Sequence, residues 1–277
     1  MVTVTNRVCS QQTVRGEAAY VYAFKARAKR HHCLGYGTFS VDLECLERLR
    51  KQYARSVSPI TYLPIYVKAT AIAIKRNPEA NAILFRKLLG RRIVQFQHVD
   101  VNLPITRKIG DRWVTFIGTV RNAAEKSLAE IQAELTEYQR CPPEQSFAIR
   151  RIQRFAKMPL WIARLIHAWM TWSPTFYVRN VGTCGVTLVE GNGHERGFPI
   201  APTSVVFGIG SARREAVVRG DAIVIGRVLK CSLMVDNYVV SGLIGARLIK
   251  EFKDLLESGS LISAEMEQSV RAVPAAS

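Results

Sequence analysis

A short polar turn near the carboxyl end of this 277-residue chain carries side chains that could orient a substrate. It runs from Asp236 through Asn237, Tyr238 and Ser241 to Gly242, and the amphipathic stretch GLIGARLIKEFKDLLESG begins at that glycine. Loops and turns on a rigid scaffold often hold catalytic groups. The asparagine amide donates and accepts hydrogen bonds, but it takes up no proton at neutral pH. The turn therefore has the form of a catalytic turn without a general base.

The strands and helices around this turn must hold it in position. Alternating apolar residues predict strands, and apolar residues at i, i+3 and i+4 predict amphipathic helices. A meander that turns at Gly220-Asp221 leads into the polar turn, and Asn77-Pro78 stops an apolar helix. The predicted strands lie in TFSVDLE, NAILFRK, RRIVQFQ, VDVNLPITRKIGDRWVTFIGTV, GTCGVTLVEG and PTSVVFGIGSARREAVVRGDAIVIGRVLKCSLMV; the predicted helices lie in ECLERLRKQYARS, ITYLPIYVKATAIAIKRNP, EKSLAEIQAELTEYQR and GARLIKEFKDLLESG.

One α/β domain accounts for this order of elements. We expect a flexible segment over residues 1–18, the domain over 19–262 and a loose tail over 263–277. Within the domain, residues 142–176 form a basic and aromatic helical insert. Its Arg, Lys and Trp side chains suit internal packing, contact with an anionic membrane surface, or binding of single-stranded nucleic acid.

The composition is that of a globular protein. Hydrophobic residues make up 48% of the chain and the mean hydropathy is +0.04. No apolar run reaches the roughly 18 residues of a membrane span. The amino terminus lacks the apolar core of a secretory signal, which predicts a cytoplasmic protein, with peripheral membrane contact as the open alternative. Six scattered cysteines without a Cys-x-x-Cys pair indicate neither a metal site nor disulfides.

The net charge favours anionic partners. It is +17, from 39 Lys and Arg against 22 Asp and Glu. Nucleic acid, anionic lipid, acidic protein and phosphorylated cofactors all have the matching sign. Nothing in the sequence resembles a nucleic-acid-binding module, so we do not expect nucleic acid as the partner.

Several landmarks occur in a specific order between Ala19 and Gly259. They are TFSVDLECLERLRK, KRNPEANA, RNAAEKSLAEIQAEL, PTSVVFGIG and DNYVVSG. Their order and spacing resemble the catalytic domain of the dihydrolipoyl acyltransferases of 2-oxo acid dehydrogenase complexes. The resemblance implies the chloramphenicol acetyltransferase-like fold, an α/β two-layer sandwich with a mixed sheet and helices on one face. Since no lipoyl domain precedes the core, we expect a free-standing member.

That resemblance also implies an assembly and a substrate class. The expected assembly is a homotrimer with active sites at the subunit interfaces. A pantetheine arm would enter from one face and the acyl acceptor from the other. Coenzyme A, acyl-coenzyme A or an acyl carrier protein would therefore be substrate or partner, together with a possible partner enzyme and no metal.

The catalytic residues carry over only in part. In the family, the histidine of Asp-His-Arg-x-x-Asp-Gly is the general base, and a Ser or Thr hydroxyl on an earlier strand stabilises the oxyanion. Here Asp236 and the final Gly are kept, whereas Asn237 takes the place of the histidine, Tyr238 that of the arginine and Ser241 that of the second aspartate. Thr187 aligns with the hydroxyl position; a shifted register would put Leu188 or Val189 there.

Other side chains could replace the missing base. His32, which follows His31 ahead of the first strand, is the candidate, and a solvated basic segment is the alternative for this pair. Glu190 would act as a base if apolar neighbours raised its pKa. Cys184 and Cys231 could form acyl adducts, or they could be small buried hydrophobic residues. The candidate substrate-binding residues are His31, Tyr238, His194 and Ser211.

Three functions remain open at this point. The first is an acyltransferase-like enzyme that handles an acyl thioester and lacks the usual histidine. The second is a catalytically silent trimeric scaffold or a partner subunit of another enzyme. The third is a protein that binds anionic membranes or other polyanions through its +17 charge.

Overall fold

The computed structural model describes residues 33–87, 90–109, 111–142, 150, 162, 172–188 and 195–272. Its strands are β1 (Leu34–Asp42), β2 (Ala82–Lys87), β3 (Gly90–Gln95), β4 (Val101–Ile109), β5 (Arg112–Val120), β6 (Cys184–Leu188), β7 (Val205–Arg219) and β8 (Ala222–Asp236). Its helices are α1 (Glu44–Ser56), α2 (Tyr62–Arg76), α3 (Leu128–Arg140), α4 (Pro174–Val181), α5 (Gly242–Ser258) and α6 (Ser260–Ala272). None of these helices combines the length and the apolar character needed to cross a membrane.

Six strands form one mixed sheet in the order β1-β8-β7-β6-β4-β5, and β2 and β3 form a separate hairpin. Strands β4, β6 and β7 are parallel to one another, whereas β8 runs antiparallel to both β1 and β7. This arrangement confirms the predicted mixed α/β fold. It also places the end of β8, and hence the polar turn, between the start of β1 and the start of β7.

The core lies between this sheet and helices α2, α3 and α5. Helix α5 buries Leu248, Phe252 and Leu256 completely. The ring of Phe252 stacks on Phe207 of β7 at a centroid distance of 4.3 Å, and Phe39 of β1 meets Phe252 edge-on at 5.9 Å. Aromatic pairs of this kind add about 0.5–1.5 kcal/mol each beyond the burial of apolar area. The packing fixes α5, and with it the carboxyl side of the polar turn, against the sheet.

Helix α6 corrects the predicted tail. Residues 263–272 continue a helix that begins at Ser260, and Ile262 is fully buried in the core. Gly259, in the left-handed conformation at φ 64°, ends α5 and lets the chain turn directly into α6. A glycine at this position is the usual end of a helix, and a second helix can follow it at once. The prediction of a loose tail was wrong for this stretch because Ile262 packs into the core.

An irregular segment, residues 195–202, crosses the sheet on the face opposite the helices; we call it the strap. The side chains of Tyr36 and Phe39 point to opposite faces of β1, because side chains alternate along a strand. Phe39 packs against α5, whereas the Tyr36 hydroxyl donates to the carbonyl of Pro199 at 3.0 Å. The hydroxyl of Ser232 on β8 donates to the carbonyl of Gly197. Hydroxyl groups on two strands therefore hold the strap against the sheet.

Two glycines of β7 leave room for the strap. A Cβ atom on Gly210 would lie 2.0 Å from the carbonyl oxygen of Glu195, and one on Gly208 would lie 2.9 Å from that of Gly197. Both oxygens belong to the backbone and cannot move away as a flexible side chain would. Glycine inside a strand commonly marks such a close approach of another backbone.

Candidate active site

Asp236 organises the polar turn. Its side chain is completely buried, and its Oδ1 atom accepts hydrogen bonds from the backbone N–H groups of Cys33 at 3.0 Å and Tyr238 at 3.1 Å. Its carbonyl oxygen accepts from the N–H groups of Val239 and Val240, each at 2.8 Å. One aspartate thus closes the turn and ties it to the start of β1.

Asn237 lies at the exposed tip of this turn. Its backbone N–H donates to the carbonyl of Cys33 at 2.7 Å. Its side-chain amide rests on Gly35, where a Cβ atom would come within 2.6 Å of the Asn237 Nδ2 atom. The amide is therefore held against the backbone of β1 and reaches solvent at a defined position. Such a fixed amide can orient a substrate through hydrogen bonds, but it cannot accept a proton.

The other two polar residues of the turn have local contacts. The ring of Tyr238 is 49% exposed, and the guanidinium of Arg91 on β3 lies 5.6 Å from its centroid, within cation–π range. Ser241 is the N-cap of α5, and its hydroxyl oxygen accepts from the N–H of Ile244 at 3.4 Å. Ser241, which we predicted to be catalytic, therefore serves the helix terminus. The Arg91 contact has no counterpart in the sequence prediction.

Thr187 is the fourth residue of β6 and is half-buried. Among the residues that the structure describes, none forms a hydrogen bond with its hydroxyl. Its strand is held at both sides, because Thr187 pairs with Gly208 of β7 and β6 also pairs with β4. Leu188, the alternative in a shifted register, follows at the end of β6. The hydroxyl of Thr187 is thus rigidly placed and available as a donor.

Thr187 and Asn237 do not meet within one chain. Thr187 lies opposite Gly208, whereas Asp236 lies beside Ser204, whose carbonyl accepts the Asp236 N–H at 2.8 Å. Asn237 is therefore about five residues, or roughly 17 Å, away along the sheet and two strands, or about 10 Å, across it. The structure separates the two residues that the resemblance assigns to one site.

Ser211 lies still farther from the turn. Its backbone N–H donates to the carbonyl of Glu195 at 3.2 Å, at the register shift of β7 between Ile209 and Ala212. Ser211 contacts the strap through this bond and lies roughly 25 Å along the sheet from the turn. The structure thus separates Ser211, a predicted substrate-binding residue, from Asn237.

Both cysteines near the predicted site are core residues. Cys184 and Cys231 are fully buried. Removal from water raises the pKa of the Cys231 thiol to about 12, and burial raises that of Cys184 well above its ordinary value. The thiolate is the nucleophilic form of cysteine, so neither residue can form an acyl adduct at neutral pH. Of the two interpretations of these residues, that of small buried hydrophobic side chains is confirmed.

Five candidates fall outside the described residues: His31, His32, Val189, Glu190 and His194. The same holds for most of the predicted insert. Within the described residues, no group of three or more His, Cys, Asp or Glu side chains could hold a metal ion. The sequence prediction missed the strap, although Gly208 and Gly210 in the middle of a strand could have indicated it.

A profile of the 2-oxoacid dehydrogenases acyltransferase (catalytic domain) family matches residues 26–152 and 172–264. The chain belongs to this family. The intervening residues 153–171 lie inside the predicted insert, whose role stays a prediction. The match covers every strand and helix described above except the end of α6, so the family assignment agrees with the fold.

Known acyltransferases of this family match most of the chain. Over 221 residues the chain is 23% identical to the dihydrolipoyllysine-residue acetyltransferase component of the pyruvate dehydrogenase complex of Rickettsia felis, a match covering 79% of this chain and 46% of the relative. The corresponding component of Bacillus subtilis is 24% identical over 249 residues, with 87% and 49% covered. The chain spans about half the length of the curated relatives it matches.

Solved structures of this family share the fold. A probable dihydrolipoamide acetyltransferase from Listeria monocytogenes superposes with a TM-score of 0.63 at 18% identity, covering 90% of this chain and 94% of the other. A dihydrolipoamide acetyltransferase from Azotobacter vinelandii gives 0.64 at 17% identity, covering 95% and 100%. The latter structure was determined to study a serine, a histidine and an asparagine in the catalytic mechanism of that enzyme.

Proposed function

We propose that this chain transfers an acyl group from a thioester of coenzyme A or of a carrier-bound pantetheine. The observation that supports this proposal is the pair formed by Thr187 and Asn237. The first offers an available hydroxyl on a rigid strand, and the second holds an exposed amide on a turn that the buried Asp236 fixes. Because the two lie far apart in one chain, a complete site requires Thr187 of one copy and Asn237 of another. A homotrimer with sites between its subunits meets that requirement.

In this mechanism each residue has a separate role. The acceptor attacks the thioester carbonyl, and the carbonyl oxygen gains negative charge as the new bond forms. The hydroxyl of Thr187 donates a hydrogen bond to that oxygen; one such donor typically lowers the barrier by about 3–4 kcal/mol. The carbon–sulfur bond then breaks, and the proton of the acceptor ends on the leaving thiolate. Asn237 orients the acceptor by hydrogen bonds but takes no part in the proton transfer.

The proton transfer has two possible routes. Asn237 takes the place of the family's histidine, so an acceptor that is already deprotonated near neutral pH, such as an amine of low pKa, needs no protein base. Alternatively, His32 supplies the base. His32 directly precedes Cys33 in the sequence, and the carbonyl of Cys33 accepts a hydrogen bond from the N–H of Asn237. General bases contribute on the order of a hundred- to ten-thousand-fold in rate, so the two routes differ measurably.

Calorimetric titration with coenzyme A and acetyl-coenzyme A tests the substrate class. Moderate salt suppresses non-specific attraction to the basic surface. Saturable binding of one ligand per protomer supports the proposal, and thioester cleavage in the presence of candidate thiol, amine and hydroxyl acceptors then identifies the reaction. Absence of binding, together with absence of turnover of carrier-bound thioesters, would refute it.

A mixing experiment tests the shared site. Thr187→Val and Asn237→Ala should each be inactive alone. Co-expression of the two variants should restore about a quarter of the wild-type activity. In a randomly assembled ring, a quarter of the interfaces join an intact Thr187 to an intact Asn237. A site contained within one chain gives no restoration. Co-expression of Thr187→Val with itself under a second tag is the matched control.

A catalytically silent scaffold is the competing proposal. It rests on the replacement of three motif residues at Asn237, Tyr238 and Ser241 and predicts assembly or capture of a partner enzyme without thioester turnover. The cytoplasmic location and the membrane contact through the insert stay predictions. Sedimentation with anionic vesicles at low and high salt tests the membrane contact.

A further inference from the structure

A groove separates helix α1 from the outer half of the β7–β8 hairpin. It encloses about 570 Å³, a volume within the range of binding pockets. Gly226 on its floor is ten residues before Asp236 on β8, which corresponds to about 33 Å. The groove is therefore separate from the polar turn, and nothing in the proposed acyl transfer uses it.

One wall of the groove is cationic. Arg48, Lys51 and Arg55 are exposed on α1 and are spaced three and four residues apart, which puts them on the same side of the helix. The first acidic residue of the groove, Glu44, already has a partner, because the Arg219 guanidinium bonds to it and, outside the groove lining, to Asp42 at 2.7 Å.

The second acidic residue is paired as well. Glu47 is bound to Arg227 at 2.5 Å. Among the described residues, Arg48, Lys51 and Arg55 have no carboxylate partner. The guanidinium of Arg48 bonds only to the sulfur of Cys45, at 3.5 Å. Five basic and two acidic residues line the groove, so three positive charges remain without a counter-charge.

The hairpin side of the groove has one aliphatic side chain, Ile225, beside Arg219, Gly226 and Arg227, and more aliphatic side chains lie next to it on the hairpin. Val218, Ile223 and Ile225 are 74%, 76% and 69% exposed. Val218 pairs directly with Ile223 across the hairpin, and Ile225 pairs with Ala216, so all four side chains share one face. Ile225 lines the groove, and Val218 and Ile223 extend the same face from there toward the hairpin turn. Three large aliphatic side chains exposed together on one hairpin indicate an interaction surface.

We propose that this groove binds an acidic segment of a partner protein, with carboxylates against α1 and apolar side chains against the hairpin. The aliphatic face extends beyond the groove. A small anion bound in the groove would leave these aliphatic side chains uncovered, which disfavours it as the ligand. A second copy of the chain is the alternative occupant, and self-association that the groove substitutions abolish would reveal it. An anionic membrane is disfavoured because Asp221, a negative charge, stands at the hairpin turn beside the exposed Val218 and Ile223.

Selection from a random 12-residue peptide display library, at moderate salt, tests this proposal. Wild-type protein is the bait, and Ile223→Ser/Ile225→Ser is the counter-selection. Two further double variants form a matched pair, since each lowers the net charge by the same amount: Lys51→Gln/Arg55→Gln inside the groove and Lys108→Gln/Arg140→Gln outside it. Circular dichroism and thermal melting check that every variant is folded.

We expect enriched peptides that combine several Asp or Glu residues with Leu, Ile or Phe at helical or alternating spacing. In fluorescence anisotropy their affinity should fall about tenfold or more for both groove variants and less than about twofold for the outside pair. Peptides without an acidic excess, or with equal affinity for all variants, would overturn the proposal. Failure to select any peptide over the counter-selection would also overturn it, and binding to anionic vesicles or self-association that the groove substitutions abolish would then identify the occupant.

Discussion

The backbone N–H of Asn237 donates to the carbonyl of Cys33 at 2.7 Å, and the N–H of Cys33 donates to the Asp236 carboxylate at 3.0 Å. This double link makes the start of β1 and the polar turn one structural unit. His31 and His32 directly precede Cys33 in the sequence, which gives the first prediction.

Replacement of His32 by asparagine should remove the base if His32 supplies it. We expect kcat to fall on the order of a hundredfold or more and the acid limb of the pH–rate profile, near pH 6–7, to disappear. The exposed surface change His98→Asn is the control. An unchanged pH profile in the His32 variant would assign the proton transfer to the acceptor itself.

Restoring a histidine at position 237 should add a base to the turn. For Asn237→His we expect kcat to rise, by up to about a hundredfold, and a new pH dependence with an apparent pKa near 6.5. Asn237→Gln keeps the amide and should show neither effect. If Asn237→His lowers the rate without a new pH limb, the turn does not lie beside the reacting atoms.

Gly35 should be required for the position of Asn237. The methyl group of Gly35→Ala would sit 2.6 Å from the Asn237 amide, so the side chain must leave its place. We expect turnover to fall at least tenfold, with a small change in melting temperature, because Asn237 is exposed. Gly37→Ala is the contrast: its methyl meets the end of Ile249 at 2.7 Å and should affect stability more than turnover.

The strap should tolerate no side chain at Gly210. An alanine there would bring its methyl to 2.0 Å from the Glu195 carbonyl, and either the strap or β7 must move. We expect Gly210→Ala to lower the free energy of unfolding by about 2–4 kcal/mol in urea titrations. Gly242→Ala, where the added methyl meets nothing within 4 Å, should change it by less than about 1 kcal/mol.

The buried thiols should make the protein less stable in alkali. Burial raises the pKa of Cys231 from 9.0 to about 12, whereas the unfolded chain keeps the ordinary value. Between these two values the unfolded state releases a proton that the folded state retains. The stability is therefore complete below pH 9 and falls as the pH rises toward 12, by about 1.4 kcal/mol per pH unit.

Cys231→Ala isolates this contribution. Its free energy of unfolding should fall less steeply above pH 9 than that of the wild type. Lysines and tyrosines also contribute to the slope of this free energy against pH, but they contribute equally in both proteins. Cys33→Ala, at an exposed position, should leave the slope unchanged. Equal slopes for all three proteins would show that Cys231 is not shielded from water.

Much of the fold could be predicted because local pattern and tertiary structure agree. Helix α3 has a capping box between Ser127 and Glu130 and apolar residues at helical spacing, so its sequence alone indicates its start. Helix α6 was missed because only Ile262 of its first turn is deeply buried, and the serines around Gly259 resemble the end of a domain. Its helical state depends on packing with α1 and the core.

The site was less predictable than the fold. Resemblance identified Asp236, Asn237 and Thr187, but it could not give the register that sets Thr187 beside Gly208 instead of near the turn. Periodicity shows which residues share a face of a strand, not how far two strands are shifted against each other. The capping role of Ser241 depends on where α5 begins, which a sequence locates only to within a few residues.

The pairing of β1 with β8 also sets the order in which the chain can be completed. The hydrogen bond from Cys33 to Asp236 spans 203 residues. At about 5–20 residues per second, a growing chain produces the partner of β1 roughly 10–40 s after β1 itself. During that interval β1 has no strand beside it, and the polar turn cannot form. The late synthesis of β8 therefore decides when β1, made much earlier, can take its place in the sheet.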